Sequence, residues 1–163
     1  MYNKESEMYG PVKDWWKVFL KERHRRSEVK VYDTSAMVLY RFVQEHRLDV
    51  FFPDYMTYEI EVDITGVIIT RDRARLALIE CKLTPISLRD IGQMLGYSKV
   101  ARPEYSLLLS PRGLSEGLVR LLQSYRRFDV LDYGNGRRIR LATWSAQRGE
   151  IVAETLLPPG EFF

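Results

Sequence analysis

Cysteine and histidine are scarce in this chain of 163 residues, which has one cysteine, Cys81, and two histidines, His24 and His46. A single cysteine excludes an internal disulfide and a cysteine-rich zinc site, and two histidines are too few for a typical zinc site. Any metal would therefore be held mainly by carboxylate oxygens, and such a donor set favours Mg²⁺ or Mn²⁺.

Long apolar runs are also absent. No run approaches the ~20 residues that a membrane span needs, and the N-terminal segment lacks the apolar stretch of a secretory signal. We therefore expect a cytoplasmic protein with no membrane partner. There is no low-complexity segment and no internal repeat. The length and the 45% of apolar residues predict a single domain over residues 1–163.

The net charge is only +3, but the basic residues are grouped along the chain. Such groups can converge on a phosphate-binding face, and they can equally be ordinary solvated charge. The groups are Lys21, Arg23, Arg25, Arg26 and Lys30; Arg71, Arg73 and Arg75; Arg120, Arg126 and Arg127; and Arg137, Arg138 and Arg140.

Hydrophobic periodicity predicts helices and strands in alternation, which indicates an α/β fold. Helices are predicted over 11–24, 34–47, 87–100 and 115–128, and strands over 58–70, 76–83 and 105–110. Short strands follow, with Asn135 and Gly136 as a hairpin turn. Ser87 and Asp90 form a capping-box pattern at the start of the third helix, and Ser115 begins the fourth.

The first two helices carry further expectations. Trp15 and Phe19, with Trp16 beside them, are expected on the core side of the helix over 11–24, and Pro11 is expected near its start. Thr34 or Ser35 is expected to cap the helix over 34–47.

Acidic and basic side chains share one face of the predicted strand pair. Side chains two apart in a strand point the same way, so Glu80 and Lys82 share a face and Cys81 points to the other. Glu61 and Asp63 share a face of the preceding strand in the same manner.

The turn over 71–75 sets which residues meet across the pair. A hairpin folded between Asp72 and Arg73 places Asp63 across from Lys82, with Glu80 on the diagonal at about 7–8 Å. Asp63, Glu80 and Lys82 then converge, although a slip of one residue would separate them.

Two carboxylates this close repel each other unless a cation neutralises them, and a lysine beside them suits phosphate chemistry. The metal can lower the pKa of a bound water, and Lys82 can orient the attacking water or offset charge in the transition state. The alternative is a surface strand with a Glu80–Lys82 pair beside an unrelated Asp63.

Asp63 followed by Glu80-Cys81-Lys82 resembles the core of the PD-(D/E)XK nuclease superfamily. In the next helix, Gln93 and Tyr97 are similar to the Q-x-x-x-Y motif of RecB-type members. Within the superfamily, the sequence resembles the RecB-type or archaeal resolvase-like core. The resemblance covers about residues 34–130. It implies a restriction-endonuclease-like core, with a central mixed β-sheet flanked by helices.

The resemblance also implies an activity. Asp63 and Glu80 would hold Mg²⁺ or Mn²⁺, and Lys82 would assist attack of water on a DNA phosphodiester bond. Gln93 and Tyr97 would position the DNA and the site. The resemblance does not distinguish an endonuclease from an exonuclease, and it leaves the polarity and the strand preference open. A homodimer would suit cleavage of both strands.

The sequence departs from the family at the acidic residue that many members place on the first core helix. The helix over 34–47 offers only Glu45, near its C-terminal end, and Glu61 is the other candidate to supply this acid to the metal. Pro53-Asp54 is a literal alternative to Asp63, but Asp54 falls in a proline-containing loop. A DNA-binding module without cleavage and a protein-interaction domain are the rival functions.

Overall fold

The computed structural model describes residues 1–160. The main helices are α1 (Ser6–Arg23), α2 (Leu39–Glu45), α3 (Leu88–Ala101) and α4 (Glu116–Val119), which continues into a π-helical turn, Arg120–Ser124. The strands are β1 (Glu28–Asp33), β2 (Ile64–Ile69), β3 (Ala74–Cys81), β4 (Tyr105–Ser110), β5 (Asp132–Gly134), β6 (Arg137–Arg138), β7 (Arg140–Ser145) and β8 (Glu150–Ile151).

A six-stranded mixed sheet forms the centre, in the order β1-β2-β3-β4-β7-β8. The pairs β1–β2, β2–β3 and β7–β8 are antiparallel, whereas β3–β4 and β4–β7 are parallel. The predicted α/β class, with a central mixed sheet flanked by helices, is confirmed. No helix within residues 1–160 has the length and apolar character needed to cross a bilayer.

The two faces of the sheet bury separate apolar clusters because successive side chains of a strand point to opposite faces. Helices α2 and α3 cover the face that carries Leu76 and Leu78 of β3. Helix α1 covers the other face, where Ala77 and Ile79 lie. Glu80 therefore follows Leu78 on the α3 side of the sheet.

Helix α1 packs unusually close to β2. Gly66 has no side chain, and a Cβ atom built there would lie 2.8 Å from Cδ1 of Leu20 and 3.3 Å from Nε1 of Trp16. The indole of Trp16 donates a hydrogen bond to the Ala77 carbonyl at 3.4 Å. Glycine at this position therefore lets α1 rest directly on the strand backbone.

The face of α1 differs from the prediction. The fully buried residues are Met8, Val12, Trp16 and Leu20. Trp15 and Phe19 are only half-buried and stack beside Trp16, with ring centroids 5.5 Å and 5.2 Å from it. The helix also begins five residues before Pro11, so the proline lies inside it rather than near its start.

The region 28–63 contains the largest errors of the sequence analysis. Strand β1 lies where no strand was predicted, and it forms the sheet edge beside β2. The predicted strand over 58–70 begins only at Ile64. Helix α2 follows Val38 and has no side-chain cap. Thr34 instead donates a hydrogen bond to the Val62 carbonyl, and its backbone N–H bonds the Asp63 carbonyl, so it anchors the entry to β2.

The β2–β3 register was also predicted wrongly. Ile64 pairs with Ile79 and Ile69 with Ala74, so the hairpin folds between Arg71 and Asp72, one residue earlier than expected. The tight turn is closed by the Thr70 N–H, which donates to the Arg73 carbonyl at 2.8 Å. Each β2 residue therefore pairs with a β3 residue two positions earlier than predicted. A shift of two positions leaves each side chain on its predicted face.

Other local predictions are confirmed. The Ser87 N–H and hydroxyl both donate to the Asp90 carboxylate at the start of α3. Strand β4 has the predicted bounds. The Ser115 hydroxyl accepts from the Leu118 N–H at the start of α4. Asn135, with φ of 55°, forms the turn between β5 and β6.

Gly66→Val should destabilise the chain by about 1–3 kcal/mol, because overpacking forces α1 away from β2. Gly92→Ala, on the open surface of α3, should instead be neutral or stabilising by up to about 1 kcal/mol. Urea unfolding of both variants measures the effects. Equal stability of Gly66→Val and the wild type would contradict the close packing described for α1.

Candidate active site

Asp63 stands immediately before β2, at the point where its pairing with β3 ends. The last pair of the ladder is Ile64 with Ile79, so the N–H of Cys81 has no partner on β2. The Asp63 carboxylate takes that place and accepts a hydrogen bond from the Cys81 N–H at 2.8 Å. Asp63 is only 8% exposed, and its position is thereby fixed beside the end of β3.

Glu80 is the second-to-last residue of β3, and its side chain is buried on the α3 side of the sheet. The residue is 8% exposed. Its Oε1 atom accepts a hydrogen bond from Nζ of Lys82 at 3.1 Å, whereas Oε2 is buried without a protein partner. Buried polar atoms in folded proteins are nearly always hydrogen-bonded, so this oxygen is an acceptor open to a water or a bound group.

The electrostatics of the pair follow from burial and proximity. Burial and the negative charge of Asp63 raise the pKa of Glu80 to about 7, although Lys82 acts against the shift. Burial likewise raises the pKa of Asp63. Burial opposes the charge of Lys82, but the combined attraction of Glu80, Glu5 and Asp90 raises the pKa of that amine. Two carboxylates and one ammonium thus lie together.

Helix α1 adds two groups that the sequence analysis missed. The Tyr9 hydroxyl donates a hydrogen bond to the Asp63 carboxylate, and burial and this bond raise the pKa of the phenol. The charge of Glu5, just before α1, acts on both Asp63 and Lys82. Nothing local in the sequence marks these residues, because only the packing of α1 on the sheet brings them to the site.

The three other acidic candidates have different surroundings. Glu61 is exposed and lines a cleft with Tyr40 and Tyr97. Glu45 is exposed at the end of α2, where its neighbour His46 lies against β1 and the hairpin end of β2, away from Asp63. Asp54 stays in its loop.

The surroundings of Asp54 give it a structural role. Its carboxylate accepts a hydrogen bond from the Tyr58 hydroxyl at 3.0 Å and forms an ion pair with Arg102 at 2.9 Å. These partners tie the loop to the end of α3. The Asp54 carboxylate is thus engaged in contacts within the fold.

Gln93 and Tyr97 share a face of α3. The Gln93 amide donates to the Tyr97 hydroxyl at 2.8 Å. They lie one and two turns beyond Asp90, whose charge acts on Lys82. The helix face that starts beside Lys82 therefore carries Gln93, which is exposed, and Tyr97, which is half-buried.

A divalent cation fits the donors at this place. The buried Oε2 atom of Glu80 lacks a partner, and Asp63 supplies a second carboxylate beside it. Within residues 1–160 no group of three or more acidic, histidine or cysteine side chains is placed to hold a metal. The protein ligands would thus be two carboxylates, with water and phosphate oxygens completing the shell that Mg²⁺ or Mn²⁺ prefers.

Comparison with known proteins adds no function. No family model and no curated protein matches the chain. A crystal structure of the protein of unknown function AF1548 is similar at 15% sequence identity, with a TM-score of 0.37, over 88% of this chain and 61% of that chain. The chain thus spans less than two thirds of that structure's length. A likeness at this level supports no argument about activity.

Glu80→Gln should flatten the dependence of stability on pH in metal-free buffer. The pKa of Glu80 rises from 4.5 to about 7 on folding, so the folded chain binds a proton that the unfolded chain releases. The preference of the folded chain for protonated Glu80 contributes fully to the free energy of unfolding below pH 4.5, and this contribution is lost as the pH rises through about 7. We therefore expect the wild type to lose about 3 kcal/mol more stability over this range than the variant does.

Urea unfolding at acidic and mildly alkaline pH, with EDTA, measures this difference. Glu45→Gln makes the same chemical change at an exposed site and should keep the wild-type dependence on pH. An equal dependence in the wild type and Glu80→Gln would show that Glu80 does not titrate in this range.

Proposed function

We propose that the chain is a deoxyribonuclease of the PD-(D/E)XK superfamily, with a restriction-endonuclease-like core, that hydrolyses DNA phosphodiester bonds with Mg²⁺ or Mn²⁺. The observation that carries the proposal is the buried Oε2 atom of Glu80, which has no protein partner and lies beside the Asp63 carboxylate. Lys82 on the other oxygen of Glu80 completes the three residue types that the resemblance requires.

Asp63 and Glu80 would hold the cation. When bound, the ion would supply a water of lowered pKa and neutralise charge on the phosphate. Asp63 is well placed for this role because the Cys81 N–H and the Tyr9 hydroxyl fix its carboxylate. Tyr9 acts here as a positioning residue for Asp63.

Lys82 would act as a hydrogen-bond donor rather than as a base. Its raised pKa keeps the amine protonated at neutral pH, and Glu80 holds Nζ at 3.1 Å. An ammonium in this position can orient the attacking water or stabilise negative charge on the phosphate in the transition state.

The exposed face of α3 is the proposed contact for DNA. Gln93 and Tyr97 continue along the helix from the end beside Lys82, so a strand bound along this face reaches the acidic pair. Glu61 lines the cleft beside Tyr97.

Lys82→Ala should lower DNA cleavage about 10²–10³-fold, as expected for the loss of one donor to developing charge. Duplex, single-stranded and branched DNA are incubated with Mn²⁺, and products are resolved by gel. Lys17→Ala, an exposed change on α1, should keep wild-type activity. Salt-sensitive DNA binding without cleavage by the wild type would favour a non-catalytic DNA-binding module. Neither binding nor cleavage would favour a protein-interaction domain.

Glu5→Gln should weaken Mn²⁺ binding by about threefold to tenfold, because it removes a negative charge that acts on Asp63. Glu61→Gln should change it less than about twofold, because Glu61 lies exposed in the cleft beside Tyr97. Titration calorimetry with Mn²⁺ measures both affinities. The opposite ranking would return the role of the third acid to Glu61.

A further inference from the structure

A basic pocket lies at the opposite end of the sheet from the acidic pair, where α1 ends and β4 and β7 begin. It has a volume of about 430 Å³, and its walls include Arg23, Arg137, Arg138, Arg140, Glu104 and Tyr105. Helix α1 has Glu5 at its start and Arg23 at its end. At 1.5 Å per residue, its 18 residues separate the two places by roughly 27 Å.

Positive charge exceeds negative charge in and around this pocket. Glu104 is shared between Arg75 at 3.4 Å and Arg137 at 2.9 Å. Asp132 pairs with Arg138. Arg23 also lines the pocket, so within residues 1–160 the guanidinium groups of Arg23, Arg75, Arg137 and Arg138 stand against these two carboxylates.

His24 and Tyr105 line the pocket side by side. Nε2 of His24 lies 2.6 Å from the Tyr105 hydroxyl, and the Arg75 guanidinium approaches Nδ1 at 3.4 Å. Burial and the charge of Arg75 lower the pKa of His24, which keeps the ring neutral at neutral pH. The pair holds the end of α1 against the start of β4.

The arginines of the pocket wall lie in the segment after the hairpin turn, where Arg137 and Arg138 form β6 and Arg140 begins β7. Nη1 of Arg140 donates to the Pro158 carbonyl at 2.6 Å, which holds that side chain in place. Burial and the neighbouring charge of Arg138 lower the pKa of Arg140. Gly136 lines the pocket without a side chain.

We propose that this pocket binds a phosphate monoester, held by Arg23, Arg138 and Arg140. Guanidinium groups form the strong, charge-assisted hydrogen bonds that phosphate oxygens accept, and an anion relieves the repulsion between crowded arginines. The volume falls within the range of small-molecule sites and suits a mononucleotide. The phosphate belongs either to a free nucleotide or to the phosphorylated end of a nucleic-acid strand, and it binds independently of the acidic pair.

Titration calorimetry in EDTA tests the site on the full chain. The probes are adenosine 5′-monophosphate, inorganic phosphate, and one short single-stranded oligonucleotide with and without a 5′ phosphate. Arg23→Gln and Arg138→Gln should each weaken binding of the nucleotide about tenfold. Arg41→Gln, an exposed arginine on α2, should bind as the wild type does. Thermal unfolding without a probe verifies that the variants are folded.

The outcomes separate the two sources of phosphate. Preference for the phosphorylated oligonucleotide over its hydroxyl form supports a strand end, and binding of the nucleotide without that preference supports a free nucleotide. The proposal is overturned when no probe binds at millimolar concentration. It is also overturned when both pocket variants bind as tightly as the wild type.

Discussion

The structure at the acidic end of the sheet depends on one unfavourable feature, the burial of the Glu80 carboxylate with one oxygen unpartnered. A chain selected for stability alone would place an apolar side chain there, because an unsatisfied buried acceptor destabilises a fold. The neighbours offset part of this cost, since Lys82 bonds one oxygen. Local features that weaken a fold without an evident structural gain are typical of functional sites.

The sequence predicts the parts of this site that lie on one strand or one helix. Alternation alone places Glu80 and Lys82 on one face of β3, whatever the register of the neighbouring strand. The capping box of Ser87 and Asp90 fixes the start of α3, and spacing along that helix then brings Gln93 near Tyr97. Such inferences succeed because they need only the local geometry of a strand or a helix.

The parts that were missed depend on contacts between segments distant in sequence. Glu5 and Tyr9 reach Asp63 only because α1 packs across the sheet. Strand β1 was not predicted. Its valines, Val29 and Val31, alternate with charged residues, and this short pattern is equally typical of an exposed segment. Residues 58–63 have the alternating apolar and polar pattern of a strand. The Asp63 carbonyl, however, accepts its hydrogen bond from the Thr34 N–H, and the β1–β2 ladder begins only at the next residue.

The missing side chain of Gly66 has a consequence beyond packing. Glycine at this position allows the short distance between α1 and β2. The same helix carries Tyr9 near one end and Arg23 at the other. A methyl group at this position would lie 2.8 Å from Cδ1 of Leu20, so either that side chain or α1 itself would have to shift. A shift of the helix would move both of its ends without changing the residues placed there. The backbone at Gly66 thus sets the alignment of two places on opposite sides of the molecule.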